Sequence, residues 1–316
     1  MFKTTAWSLA AALALALATT LAGNAGAQQQ QYIPLISKGF QHQFWQAVKT
    51  GAEQAGKDYN VRITFEGPET EAMVDKQIDM LSSALAKHPA AIGFAALDSK
   101  AAIPLLKKAQ AAGIPIVAFD SGVDSDIPTT TATTDNKAAA GLAADKMAQL
   151  IGDAGEVALV VHDQTSRTGV DRRDGFVDRM KSAHPNVKIV SVQYGGGDHL
   201  KSTEIAKSML QAYPNLKGIF GSNEGSAAGV VNAVRETHHK VVVIGYDSGK
   251  QQKDAIRDGI EAGAITQNPV GIGYKTVEAA VKTLKGEKVP KVIDTGFYWY
   301  DKTNIDDPKI AAVLYD

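Results

Sequence analysis

From residue 32 onward, short apolar runs of strand length alternate with longer stretches whose apolar residues return every three or four positions. A chain patterned this way has few options. Alternating strands and helices pack as a parallel sheet, with right-handed crossovers and helices on both faces. The first series places strands at 32–36, 61–65, 90–95 and 114–119. Helices follow Phe44, then cover 71–87 and 99–112, and a β-branched stretch at 129–134 suits a strand leaving this unit. The second series starts with a helix at 136–150 capped by Asp135. It continues with strands at 157–161, 187–192, 218–220 and 241–246, separated by helices at 169–183, 200–212 and 226–237. The two series also repeat in detail. Ile116-Val117-Ala118-Phe119-Asp120-Ser121 has its counterpart in Val243-Ile244-Gly245-Tyr246-Asp247-Ser248. Asp120 and Asp247 stand 127 positions apart, as do Trp45 and Arg172 at the two helix starts, with one residue of slippage near Phe94 and Phe220. The expected fold class is therefore α/β, with two similar, doubly wound parallel-sheet lobes.

The tail completes both lobes. A strand at 263–266, a turn at 267–269, a helix at 271–285 and strand-like runs at 291–294 and 297–300 imply that the chain crosses between lobes near Thr134, Gln267 and Thr295. Three crossings make a three-strand hinge. The lobes then comprise residues 28–134 plus 268–294, and residues 135–267 plus 295–316. A cleft lined by strand C-terminal ends is the expected ligand site. Residues 1–27 read differently: Lys3, an Ala/Leu-rich run from Trp7 to Ala22, and Ala25-Gly26-Ala27 make a secretory signal peptide cut after Ala27. The expected location is the periplasm. With no cysteine in the chain, disulfides, thiol nucleophiles and a lipid-bearing cysteine are excluded, and a formal net charge of -1 gives no basic surface for nucleic acid.

Candidate chemistry gathers at the strand-to-helix turns. Gln41, His42, Phe44 and Trp45 crowd the first, although aromatics at helical spacing also serve as core. Asp120 and Ser121 end one strand and Asp247 ends its counterpart; two facing carboxylates can form a general acid–base pair or accept hydrogen bonds from ligand hydroxyls. Arg172 opens a helix where its guanidinium fork can hold two adjacent hydroxyls. Asn223 competes with a helix-capping role, and Gln267 sits at a crossing where its amide can face the cleft. The Gly195-Gly196-Gly197 run lacks dinucleotide spacing, no phosphate loop or serine elbow occurs, and the histidines show no metal-ligand spacing. No cofactor and no metal is expected.

Taken in order, the segments Ser37 to Trp45, Ile114 to Asp120, Thr134-Asp135-Asn136, Arg172 to Phe176, Ser222-Asn223-Glu224, Val243 to Asp247 and Gln267-Asn268-Pro269 resemble the ribose-binding type of periplasmic sugar-binding proteins. The resemblance implies a type I periplasmic binding protein fold that closes on a monosaccharide or polyol. It implies an ABC importer permease as partner, a chemoreceptor as a further one, and a monomer. Phe44 and Trp45 fall on its sugar-stacking pair, while Asp120, Arg172, Asn223, Asp247 and Gln267 match its polar contacts. Two positions depart from it: His42 stands where that type has asparagine, with Gln41 beside it, and Ser121 stands where it has arginine. The third stacking aromatic of that type has no obvious counterpart in residues 194–199, where Gly195 to Gly197 are expected to open the pocket. A sensor of sugar-like signals is the alternative function, and an exported carbohydrate-active enzyme using Asp120 and Asp247 is a further one.

Overall fold

A computed structural model describes residues 30–316, so the expected leader at 1–27 lies outside the described residues. The first lobe is built from β1 (Tyr32–Ile36), α1 (Gln43–Asp58), β2 (Arg62–Glu66), α2 (Val74–Ala86), β3 (Ile92–Phe94), α3 (Ile103–Ala111), β4 (Ile116–Phe119) and β5 (Thr130–Thr133). The second is built from α4 (Asn136–Ile151), β6 (Gly155–Val161), α5 (Arg167–Ala183), β7 (Val187–Tyr194), α6 (His199–Ala212), β8 (Leu216–Gly221), α7 (Glu224–Thr237), β9 (Val242–Tyr246), α8 (Lys250–Asp258) and β10 (Gly263–Gln267). The tail adds α9 (Pro269–Leu284), β11 (Val292–Asp294), β12 (Phe297–Tyr300) and the short α10 (Pro308–Ala311).

The strand orders are β11-β5-β4-β3-β1-β2 and β12-β10-β9-β8-β6-β7, which is one topology used twice. Every pairing is parallel except β10 with β12, which runs antiparallel because the chain re-enters the second sheet from a tight turn after β11. Central strands are apolar on both faces, as β1 and β4 show with every residue buried. Cores therefore lie on both sides of each sheet. In the first lobe, α1 and α9 cover one face and α2 and α3 the other. In the second, α4 and α5 cover one face, and α6 and α7 the other. The α1–α9 crossing is close enough that a Cβ on Gly273 would run into the backbone of Val48, and one on Gly51 into that of Val270. Several elements differ from the sequence pattern, among them α3, which starts at Ile103 rather than 99, and α10, which the pattern does not announce. α8 was not foreshadowed, because Ala255 and Ile256 are its only apolar residues. α2 begins at Val74 rather than 71, since residues 70–72 form a turn that carries Glu71 inward.

Candidate functional site

The C-terminal ends of both sheets face each other, and the loops leaving them enclose a small, tightly closed cavity. The first lobe contributes Lys38, His42, Phe44, Trp45, Glu71 and Asp120; the second contributes His162, Thr168, Arg172, Asn223, Asp247 and Gln267. Phe44 and Trp45 meet edge to face, with centroids 4.9 Å apart, and the indole Nε1 donates to Glu71 Oε1 at 2.7 Å. That bond fixes the ring plane of Trp45, leaving one apolar wall in a cavity otherwise polar.

The two aspartates share an unusual backbone state. Asp120 leaves β4 at φ 54° and Asp247 leaves β9 at φ 79°, a left-handed conformation that aspartate tolerates better than most residues. Equivalent bonds hold both turns: Asp120 N donates to Ala132 O on β5, and Asp247 N to Ile265 O on β10. Their side chains are then treated differently. Asp247 Oδ1 accepts from Gln267 Nε2 at 2.8 Å, and Oδ2 accepts from Glu224 N at 3.0 Å. Asp120 is 4% exposed, yet no protein group among the described residues hydrogen-bonds its carboxylate. Burial pushes its pKa up to about 6, against the pull of Lys38 and Arg172.

Arg172 sits over the Tyr246 ring, its guanidinium carbon 3.8 Å from the centroid. Nε donates to Asn136 Oδ1 at 2.7 Å and Nη1 to Ser222 O at 2.9 Å, with Nη1 also 4.0 Å from Asp247 Oδ2, and the residue lines the cavity. Asn223 does two jobs: Oδ1 caps α7 through Ser226 N, while Nδ2 reaches across to Glu71 Oε2 at 3.4 Å. Gln267 Oε1 accepts from Thr134 Oγ1 at 2.9 Å, so two of the crossing segments are bonded to each other. Glu71 is fully enclosed. Burial works to raise its pKa, but the Lys38 cation and the Trp45 donor help to hold it below the usual carboxylate range.

Not every residue singled out from the sequence reaches the cavity. Gln41 is committed to loop structure, donating to Gly197 O at 3.2 Å and accepting from Glu71 N; it borders a neighbouring opening instead. Ser121 is buried behind Asp120, its N–H turned back to Phe119 O, and it is absent from the lining. His42 lines the cavity with Nε2 3.9 Å from Glu71 Oε2 and 3.0 Å from Gln41 Nε2. Gly197, at φ 68°, lies beside the cavity wall: a Cβ there would come within 2.9 Å of Glu71 Oε2 and 3.3 Å of Asn223 Nδ2, both lining residues.

Sequence reasoning missed Lys38, Glu71, His162 and Thr168. Lys38 Nζ donates to Thr168 Oγ1 at 3.1 Å and lies 3.7 Å from Asp163 Oδ2, joining the lobes. His162 bonds Ser222 Oγ through Nδ1 and Thr168 Oγ1 through Nε2, and burial keeps its pKa well below the usual histidine value. Lys38 and His162 each sit just after a strand, as Asp120 and Asp247 do, and that placement was the available signal. Among the described residues no cluster of three or more His, Asp or Glu could hold a metal, and no helix is long and apolar enough to cross a membrane.

Comparison with known proteins places this architecture. The D-ribose/D-allose-binding protein of Pseudomonas aeruginosa is 29% identical over 265 residues, covering 81% of this chain and 82% of that protein. A carbohydrate transporter solute-binding protein from Agrobacterium radiobacter, solved with D-arabinose, superposes with a TM-score of 0.87 at 34% identity, covering 91% of this chain and 99% of that one. An ABC transporter solute-binding protein from Agrobacterium vitis, solved with D-fucose, gives 0.87 at 35% identity over 90% of this chain and all of that one. These relatives are binding proteins rather than enzymes. The model of the periplasmic binding protein domain matches residues 33–288, and with two lobes of one strand order the chain belongs to that family, in its type I fold.

Proposed function

We propose that this protein captures a monosaccharide, a pentose or hexose with polyols as the outer limit of the class, in the interlobe cleft and delivers it to the membrane permease of an ABC importer. The observation that carries the reading is Asp120: a buried carboxylate with no protein donor, facing a cavity that also presents an aromatic wall and Arg172. A sugar supplies what is missing, since its hydroxyls donate to carboxylates, accept from guanidinium, and leave a C–H face for a ring. The proposed ligand contacts are His42, Phe44, Trp45, Asp120, Arg172, Asn223, Asp247 and Gln267, joined by Lys38 and Glu71. Gln41 and Ser121 act behind them. The sugars bound by relatives support the same class.

The lobes are taken as residues 28–134 plus 268–294, and residues 135–267 plus 295–316, parting about the three crossings. A ligand that touches both lobes only when they meet favours closure by its differential affinity. The protein acts as a monomer in the periplasm, released by removal of residues 1–27, and no turnover occurs. Two of the cavity carboxylates, Glu71 and Asp247, are already engaged by protein donors, which suits binding better than proton transfer. The deciding experiment is a thermal-shift screen over pentoses, hexoses and polyols, because a ligand at 100 times its Kd adds about 2.7 kcal/mol to stability. We expect a shift of several degrees with at least one member. A flat response across all three groups would refute the ligand class.

A further inference from the structure

Four helices start without a side-chain cap of their own, α1, α2, α3 and α8, and two of these, α1 and α8, are completed from across the cleft. α1 has His42 at its N-cap, which offers no side-chain bond, and no acidic residue in its first turn. α8 starts after Gly249 and is equally bare. By contrast α4, α5, α6, α7 and α9 are each capped by their own Asp, Ser or Asn side chain. The missing partners come from the opposite lobe. Glu224, the first residue of α7, accepts from Gln43 N through Oε1 and from Phe44 N through Oε2, each at 3.0 Å. In return Gln43 Oε1 accepts from Lys250 N at 2.8 Å, at the start of α8.

We infer that Glu224 and Gln43 are positioning residues that set how firmly the protein closes: each caps a helix of the other lobe, and only in the closed state. The inference rests on the reading that the lobes part and meet. An N-terminal cap is worth roughly 1 kcal/mol, and a charged acceptor on a helix N-terminus more than a neutral one. In an open molecule both helix ends turn to water, so these bonds contribute to the difference between states and therefore to the closed population. Neither residue lines the sugar cavity. Glu224 is nonetheless tied to it, because its own N–H donates to Asp247 Oδ2 and its carboxylate anchors the helix that carries Phe44 and Trp45. Closing the lobes and seating the aromatic wall are thus one event.

The chain has no cysteine, so dyes can be placed at Lys107→Cys and Lys181→Cys, one on each lobe, and the closed fraction read by energy transfer without ligand. We expect Glu224→Ala, and more so Glu224→Ala with Gln43→Ala, to lower that fraction. With D-arabinose and D-fucose as probes, dissociation should be about tenfold faster in Glu224→Ala, which converts to about 1.4 kcal/mol. Glu224→Gln, which keeps the shape but loses the charge, should fall between. The ratio of the two sugar affinities should not move, since a closure residue acts on every ligand alike. Closed fractions and dissociation rates in the double variant equal to those of the parent would overturn the inference, as would a changed sugar ratio. Failure of both sugars to bind would bear on those two sugars alone, and the ligand-free closed fraction would still decide the role of the caps.

Discussion

Asp120 and Asp247 sit at equivalent strand ends with the same left-handed turn, but only the Asp247 carboxylate is met by protein donors among the described residues. This imbalance has a measurable cost. The folded pKa of Asp120, raised by burial to about 6, exceeds its unfolded value, so its favourable contribution is complete below about pH 4 and is lost as pH rises through 6. At pH 7 the ionised, unpaired side chain weighs against the empty fold by a few kcal/mol. Asp120→Asn should therefore raise the melting temperature of the ligand-free protein at pH 7 and leave it nearly unchanged at pH 4. The same substitution should weaken sugar binding at least tenfold by calorimetry, and in the parent protein affinity should fall as pH drops below 6. A variant that binds as well as the parent would remove Asp120 from the site. The paired positions of the two aspartates were legible because the repeat put them at matching strand ends. Their difference was not, because the partners of Asp247 come from Glu224 and Gln267, far away in sequence. Glu71 left no trace for the same reason: it reads as part of a polar helix start, and only the turn before α2 aims it at Trp45.

Among the elements, alternation announced almost every strand and helix, since burying both faces of a parallel sheet leaves a strong apolar signature. The α8 helix escaped because it lies on the surface with little to bury, and the reversal of β12 escaped because strand direction is set by a turn rather than by composition. Packing details were equally hidden. Gly51 and Gly273 look like poor helix residues, yet each lets the backbone of α1 or α9 approach the other. Propensity alone says Gly273→Ala should stabilise α9 by up to about 1 kcal/mol. We expect the opposite: loss of about 2 kcal/mol in urea unfolding, because the new methyl meets main-chain atoms of Val48 that cannot move without shifting α1. Since α1 also bears Phe44 and Trp45, sugar affinity should fall with stability. A more stable variant would show that the crossing is looser than described.

At the scale of the molecule, neither lobe is a continuous piece of chain. The first sheet ends in β11 and one of its faces is covered by α9, both encoded after the whole second lobe. A fragment of residues 32–134 leaves Ile272, Val277 and Ala280 out of the core that α1 packs on, and should remain unfolded by circular dichroism. Joining residues 268–294 to it through a flexible linker should restore a cooperative transition; a folded short fragment would contradict this account. The second sheet waits in the same way for β12, whose Tyr300 hydroxyl donates to Asp247 O behind the site. The order of synthesis therefore matters. Until the final strands emerge from the ribosome, both lobes lack an edge and cannot lock, so the nascent chain stays pliable for nearly its full length. Late completion of both sheets suits the proposal that residues 1–27 direct export, because an exported chain is threaded through its channel before it folds.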